Sequence, residues 1–404
     1  MIKFENVFTL VRKNIKQFLK IEKVLVKNAT AMVLAEDIIS NINIPPQNNS
    51  AVDGYAMNYK YIKSIKDKKF KINHTIHAGE DFKKNIKKSE CVKVSTGAHL
   101  PNYLDTVIML ENVKNIEKNI IQISRSITQN SNVRKKGEDI KKGKIVLKKN
   151  ILLQGQHVGI LSALGIKEVK VYKKIKIGIF SNGNELVNPG IKKKINQIYD
   201  SNRFMISSLL NTNTISCFDL GILKDNYISI KNKIMKEKNN YDLLIISGGA
   251  SFGDKDYIKK IIESNGKVLF SRVSIKPGRP FSIGLLKNKI PIIILPGNPV
   301  ASFVTLNIFG KYLINHMLGK KNKLPSYFIV KSNFRMKKKI GREEFLRGKI
   351  FNKNNLIYVN KFKTEGAGIL SSLTWANGLI RLKSNTKLIN KNDNLEFYPF
   401  ESFL

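Results

Sequence analysis

The sequence predicts a multi-domain fold of class α/β plus β: a parallel α/β sheet domain, a β-rich domain inserted into a helical N-terminal domain, and a small all-β domain at the end. Three observations carry this. Between residues 175 and 324, apolar runs of strand length alternate with helical stretches, as in a parallel sheet covered on both faces. Residues 41–144 and 325–404 instead hold short strands broken by turns. A helical stripe opens the chain and helical character returns near Gln154, so the first β-rich stretch interrupts a helical domain. A chain of 404 residues exceeds one ordinary core and suits about two to four domains.

Taken in order, residues 6–20 place Val7, Val11, Ile15, Phe18 and Leu19 on one helical stripe, and residues 28–39 read as a second helix. Near Gln154 a further helix puts Val158, Leu161 and Leu164 on one side, with Gly165 as its stop. Residues 1–40 and 145–174 thus form an elongated helical domain around an insert at 41–144. Within the insert, KFKINHTIHAGE, ECVKVSTGAHLP, DTVIML and NIIQIS read as strands. The α/β domain at 175–324 runs through strand KIKIGIF, helix RFMISSLL, strand ISCFDLGI, helix YISIKNKIMKEK, strand DLLIIS and helix DYIKKIIESNG. It continues with KVLFSRVSI, PFSIGLL and PIIIL, then turns sharply at Gly297, Asn298 and Pro299, where Asn298 suits an N-cap and Pro299 a first helical position. Beyond it, YFIVKS, EEFLRGKI, LIYVNKF, GLIRLKS and LEFYPF form the barrel-like C-terminal domain at 325–404.

Composition narrows the function. Two isolated cysteines, Cys91 and Cys217, are too few for a disulfide framework or a zinc site and fit a reducing cytoplasm. The N-terminal MIKFENVFTLVRKN mixes charge into its apolar positions, unlike a signal peptide. The longest apolar run, 290–295, falls far short of the roughly 20 residues that cross a bilayer. No membrane partner is expected. The formal net charge of +41 raises the prospect of a nucleic-acid partner. Its lysines, however, run through every region in company with Asn and Ile, which reads as chain-wide drift. No arginine-rich arm, aromatic RNA-binding signature or zinc-finger spacing is present, so no specific nucleic acid is expected. Attraction of a polyanionic small substrate suits the charge better.

In an open parallel sheet the ligand sits beyond the carboxyl ends of the strands. Four polar turns fall there: SNGNEL at 181–186, LGILKDN at 220–226, SGGASFGDKDY at 247–257 and PGNPVAS at 296–302. Each has a structural explanation alone, since glycine permits positive φ and asparagine caps helices. Together they bring Glu185, Asp225, Asp254 and Asp256 to one sheet edge, where a divalent cation would neutralise them. Gly248, Gly249 and Ser251 lie in a turn whose backbone N–H groups suit an anion. In KPGRP, Lys276 and Arg279 flank a stiff Pro-Gly turn that holds two cations together for the oxygens of phosphate or another oxyanion. Outside the sheet, NNSAVDGYA presents Asp53, STGAHLP offers the Ser95 and Thr96 hydroxyls and a free backbone N–H, and RKKGEDIKKG surrounds Glu138 and Asp139 with basic residues. Asx-turn and capping roles are the plain alternatives for these three.

The ordered set NNSAVDGYA, STGAHLP, RKKGEDI, SNGNEL, IYDSN, SGGASFGDKDY, KPGRPF, LPGNPVAS and GREEF resembles, over essentially the whole chain, the motif series of MoeA-type molybdopterin molybdenumtransferases and the related gephyrin E domain. The resemblance implies four structural domains, with a MogA-like α/β sheet and the elongated domain serving dimerisation, in a homodimer whose cleft the partner subunit completes. It implies insertion of molybdate-derived molybdenum into adenylylated molybdopterin with release of AMP, the last step of molybdenum cofactor biosynthesis. It marks Asp53, Thr96, Asp139, Glu185, Asp225 and Asp256 as catalytic, with Glu185 and Asp256 holding Mg2+. Gly248, Gly249, Ser251, Lys276, Arg279, Pro296, Pro299, Arg342 and Ser371 then bind substrate, with Ser372 beside the last. Contact with molybdopterin adenylyltransferase follows from the substrate. A non-catalytic scaffold of the same fold is the alternative, as the gephyrin likeness permits. The chain also departs from the family pattern. Ser181-Asn182-Gly183-Asn184-Glu185 stands where Ser-Thr-Gly-Asp-Glu is usual, Arg279 stands where lysine is common, and Ala250 and Phe252 replace valines.

Overall fold

The computed structural model describes residues 1–249, 257–320 and 325–403. Two units make up the chain: residues 1–36, 150–158 and 168–404 form one, and residues 37–149 and 159–167 the other.

In the second unit a six-stranded sheet runs Thr106–Met109, Gly54–Met57, Glu90–Val94, Lys69–Ile76, Ile120–Ile123, Val113–Glu117, antiparallel except where Lys69–Ile76 meets Glu90–Val94. Because side chains alternate across a strand, neighbouring residues feed two separate cores. Ala56, Val92, Val94 and Val107 go to one face. Tyr55, Met57, Cys91 and Ile108 go to the other. The predicted strands of the insert are all present. A two-residue turn joins the last two in sequence, with Asn119 at φ 69°, a conformation asparagine tolerates well.

In the first unit a six-stranded sheet runs Ile215–Leu223, Ile175–Asn182, Leu243–Ser247, Pro291–Leu295, Ser282–Leu286, Gly266–Phe270. The first four are parallel, as predicted. The last two are antiparallel, which corrects the expectation of an all-parallel sheet. Only residues 287–290 separate Ser282–Leu286 from Pro291–Leu295, far fewer than the dozen or so that a parallel crossover needs. Alternation again splits the sheet: Ile177, Ile179, Ile245 and Ile293 pack on one face, while Phe180, Leu244, Ile246 and Ile292 pack on the other. Helices Asn202–Leu210 and Pro299–Thr305 cover the first face, and Tyr227–Glu237 and Tyr257–Asn265 the second. Five strands, Glu343–Lys353, Leu356–Lys361, Phe328–Ser332, Asn394–Pro399 and Gly378–Leu382, close into a barrel around Val330, Leu346, Val359, Ile380 and Phe397.

Two helical expectations need correction. The stripe over 6–20 ends early: helix Phe4–Asn14 stops where Ile15 turns extended, and Phe18 donates its N–H to the Met317 carbonyl outside any helix. The helix is drawn into the α/β core, with Phe4, Val7, Phe8 and Val11 packed among Phe309, Tyr312 and Phe345. Residues 28–39 hold no α-helix. Ala31 has φ 61°, its N–H goes to Leu153, and Val33 and Leu34 bridge to Leu152 and Val171. A short apolar run fits a buried strand as well as a buried helix, and here pairing with two other segments decides. The predicted helix near Gln154 does form, as Gly155–Ala163, with Gly165 at φ 70° after it.

Candidate active site

The parallel strands Ile175–Asn182, Leu243–Ser247 and Pro291–Leu295 all release their chains at one sheet edge, where a cleft of about 700 Å³ opens. It is lined by Ser181, Asn182, Glu185, Gly248, Gly249, Asn202, Pro296 and Pro299, among others. Three of the four turns picked from sequence therefore do meet. Asp225, from the fourth, is tied to the same edge: its carboxylate accepts from Asn182 Nδ2 at 2.9 Å, and its N–H donates to Asn184 Oδ1 at 3.1 Å. The two asparagines that replace the usual threonine and aspartate thus clamp Asp225 from both sides. Ser251 and Asp256 lie outside the described residues.

The floor of the cleft holds three buried polar atoms with no partner among the described residues: Ser181 Oγ, Asn182 Oδ1 and Asn202 Oδ1. The orientation of Asn182 follows from chemistry, because only its NH2 can face the Asp225 carboxylate. Asn202 donates to Ser247 Oγ at 2.8 Å and to the Gly297 carbonyl at 2.7 Å, which likewise turns its oxygen elsewhere. Buried polar atoms are nearly always satisfied, so a ligand with N–H or O–H donors would suit the two amide oxygens, while the Ser181 hydroxyl can donate as well as accept. Asn202 was visible in sequence only as part of IYDSN and was not singled out.

Gly248 takes a role different from the expected one. Its N–H donates to the Leu295 carbonyl at 3.0 Å, extending the sheet ladder rather than presenting itself to a phosphate. Its φ of 92° and the Asn182 carbonyl oxygen, 2.4 Å from where a Cβ would stand, explain why glycine is needed. Gly248→Ala is expected to cost about 1–3 kcal/mol, read from the urea unfolding midpoint. An unchanged midpoint would show that the turn relaxes freely.

A second hollow of about 290 Å³ shares Pro280, Pro296 and Asn298 with the cleft and contains Lys276, Arg279, Arg342, Arg347, Glu344 and Glu365. Strand pairing builds it, since Ile275–Lys276 runs parallel to the start of Glu343–Lys353 with Lys276 opposite Glu344. Lys276 Nζ lies 2.5 Å from Glu344 and 3.2 Å from Glu365. Burial pulls the Lys276 pKa down, but the two carboxylates outweigh it and the net shift is upward. The ammonium is thereby held charged and in place. Arg347, buried at 4% exposure, was missed by sequence reasoning. It donates to Ser372 Oγ at 3.0 Å and to the carbonyls of Thr364 and Gly366 at 3.2 and 3.4 Å. Ser371 is exposed and lines neither hollow, while its neighbour Ser372 is the one engaged.

Asp53, Thr96 and Asp139 belong to the other unit. Asp53 Oδ1 accepts from the Thr96 N–H at 2.6 Å and from its hydroxyl at 2.9 Å. The Thr96 N–H, then its hydroxyl, hold the Asp53 carboxyl below the usual range. The hydroxyls and free N–H expected of STGAHLP are therefore already engaged: Gly97 N–H goes to the Ser50 carbonyl, and Ser95 Oγ meets His77 Nδ1 at 3.1 Å. Asp139 is exposed in a separate hollow beside Glu138 and Lys141.

Among the described residues no group of three or more His, Cys, Asp or Glu side chains could hold a metal. Mg2+ asks for less, commonly one or two carboxylates with substrate phosphates and water. The cleft supplies a hard oxygen donor in the Glu185 carboxylate, so the donor chemistry fits a loosely held Mg2+ completed by a ligand.

Comparison with known proteins identifies the family. Residues 2–165 match the model of the MoeA N-terminal region (domain I and II), 178–316 that of a probable molybdopterin binding domain, and 330–400 that of the MoeA C-terminal region (domain IV). A molybdopterin molybdenumtransferase from Haemophilus influenzae is 35% identical over 94% of this chain and 93% of its own. The chain belongs to the MoeA family. A putative molybdopterin biosynthesis protein from Methanocaldococcus jannaschii is 30% identical, covering 97% of this chain and 95% of that one. The crystal structure of the molybdopterin biosynthesis MoeA protein from Pyrococcus horikoshii superposes with a TM-score of 0.84 at 30% identity, over 98% of this chain and 100% of that one. MoeA membership places the chain in molybdenum cofactor biosynthesis and bears out the predicted fold class.

Proposed function

We propose that this MoeA-family chain is a molybdopterin molybdenumtransferase that inserts molybdenum from molybdate into adenylylated molybdopterin and releases AMP. The observation that carries the reading is the join of two unlike surfaces. A cleft floored by unpartnered Ser181, Asn182 and Asn202 suits a donor-rich heterocycle, and it abuts a basic hollow suited to oxyanions. Asn182 Oδ1 and Asn202 Oδ1 accept from the pterin N–H groups, and Lys276, Arg279 and Arg342 hold molybdate and offset charge on the departing phosphate. Glu185 and Asp256 would hold Mg2+, which when bound polarises the phosphoanhydride. An oxygen of molybdate attacks the pterin-side phosphorus and the P–O bond to AMP breaks, so AMP leaves. The dithiolene sulfurs then give up their protons to solvent and displace that phosphate oxygen from molybdenum, leaving the pterin phosphate free and the metal on sulfur. Orientation by the cleft makes the step effectively intramolecular, with no covalent nucleophile from the protein.

The enzyme works in the cytoplasm as a homodimer and receives its adenylylated substrate by contact with molybdopterin adenylyltransferase. No helix among the described residues is long and apolar enough to cross a membrane. The +41 net charge favours capture of a polyanion. Molybdate-dependent AMP release from adenylylated molybdopterin tests the reading. Asp53→Ala, Glu185→Ala, Asp256→Ala and Lys276→Ala are each expected to slow it about 10- to 150-fold, the equivalent of one charge-assisted contact of about 1.5–3 kcal/mol. Unchanged turnover in these variants would remove the proposed site, and pterin binding without AMP release would favour a scaffold.

A further inference from the structure

We propose that the hollow between the end of helix Asn202–Leu210 and helix Lys311–Met317 is a second anion site, built for a protonated tetrahedral oxyanion such as hydrogen phosphate. It measures about 340 Å³ and shares no lining residue with the cleft or the basic hollow. Lys311, Lys320, Asn307, Thr212, Thr214 and Ser402 line it, and no Asp or Glu does.

Two lysines withdrawn together are the first observation. A chain with 71 basic residues has every means of leaving lysine ammoniums in water, where they are strongly hydrated. Neither Lys311 nor Lys320 takes part in an ion pair among the described residues. Lys311 donates to the Phe403 carbonyl, which supplies a partial charge only. Burial, then repulsion from Lys320, pushes the Lys311 pKa down to about 8, and burial also lowers that of Lys320. A bound anion is the partner that would let both stay charged.

Asn307 is the second observation, and it narrows the anion. It sits in the π-helical turn Leu306–Gly310 that interrupts the long helix, a distortion common at functional sites. At 1% exposure, its Nδ2 donates to the Phe303 carbonyl at 2.9 Å and its Oδ1 has no partner. An amide oxygen can only accept. The anion that satisfies the hollow therefore carries an O–H as well as negative charge. Hydrogen phosphate does. Sulfate and molybdate, fully ionised near neutral pH, do not, and each would press a bare oxygen against Asn307 Oδ1.

Calorimetric titration of the full chain near neutral pH with inorganic phosphate, sulfate and molybdate tests this. Phosphate is expected to show a binding component that Lys276→Ala leaves intact and that Lys311→Met or Lys320→Gln weakens about tenfold or more. Sulfate and molybdate should compete for it at least about tenfold less well. Glycerol phosphate competing equally would assign a phosphate ester as the ligand, and failure to compete would assign free phosphate. Lys320→Gln, at a partly buried position, keeps the test intact if Lys311→Met does not fold. A phosphate component indifferent to Lys320→Gln, or displaced equally by sulfate and molybdate, would overturn the proposal.

Discussion

Asp200→Asn is expected to destabilise the α/β unit by about 3–5 kcal/mol, because it strips a buried arginine of the one of its two countercharges that water does not screen. Asp200 and Arg203 are 1% and 3% exposed, with Nε and Oδ2 3.0 Å apart. Arg203 also reaches Asp219 and, at 2.5 Å, Asn188 Oδ1. The Asp219 side chain is 54% exposed, so water screens that pair, and Asp219→Asn should cost no more than about 1 kcal/mol. The contrast between the two substitutions in urea unfolding isolates the buried pair. A functional loss should follow, since Asp200 lines the cleft and its N–H holds the Val187 carbonyl next to the paired Leu186–Val187 and Ile198–Tyr199. Should Asp200→Asn unfold at the same urea concentration as the parent chain, the buried pair would not be what fixes this wall.

Much of this wall was legible beforehand, for reasons that differ residue by residue. The strand-helix alternation fixes which turns gather at the carboxyl edge, so Glu185, Gly248 and Gly249, found from their turns, line one cleft together with Pro296 and Pro299, which the family resemblance implied. Local sequence is silent about where a turn's N–H groups go. Gly248 was read as a phosphate donor, yet its positive φ serves close packing against Asn182 and its N–H continues the ladder. The Thr96 hydroxyl has a partner that local sequence does not show either, since it donates to Asp53, distant in sequence.

The basic hollow shows the other limit. Lys276 and Arg279 were recognised from KPGRP, but that Glu344 and Glu365 would neutralise Lys276 depends on strand register between distant segments. The departure at Asn182 and Asn184 looked like a loss of one hydroxyl and one carboxylate. In three dimensions both amides hold Asp225, and one of them leaves an acceptor facing no protein partner. The helix predicted over 28–39 failed because only pairing with Leu152 and Val171 distinguishes that apolar run from a helix.

Arg347 extends this to the second large effect. It lies mid-strand in EEFLRGKI on the face opposite barrel-core Leu346, and only the packing of residues 364–372 over that face leaves it at 4% exposure. Arg347→Met keeps much of the volume but removes the donors that hold Ser372 Oγ and the Thr364 and Gly366 carbonyls. Glu344, itself 5% exposed, loses one of the cations near it. Orphaned acceptors at about 1–3 kcal/mol each, partly offset by no longer burying a guanidinium, lead to an expected loss of about 3–5 kcal/mol. The segment so released carries Glu365, Gly366 and Ala367 into the basic hollow and Gly368 into the cleft. The KM for molybdate should therefore rise more than kcat falls in whatever fraction remains folded. Arg347→Lys restores the charge but not the planar fork, so it should recover part of the stability and less of the molybdate affinity. If Arg347→Met were as stable as the parent and bound molybdate equally well, the segment would be held by something other than this guanidinium.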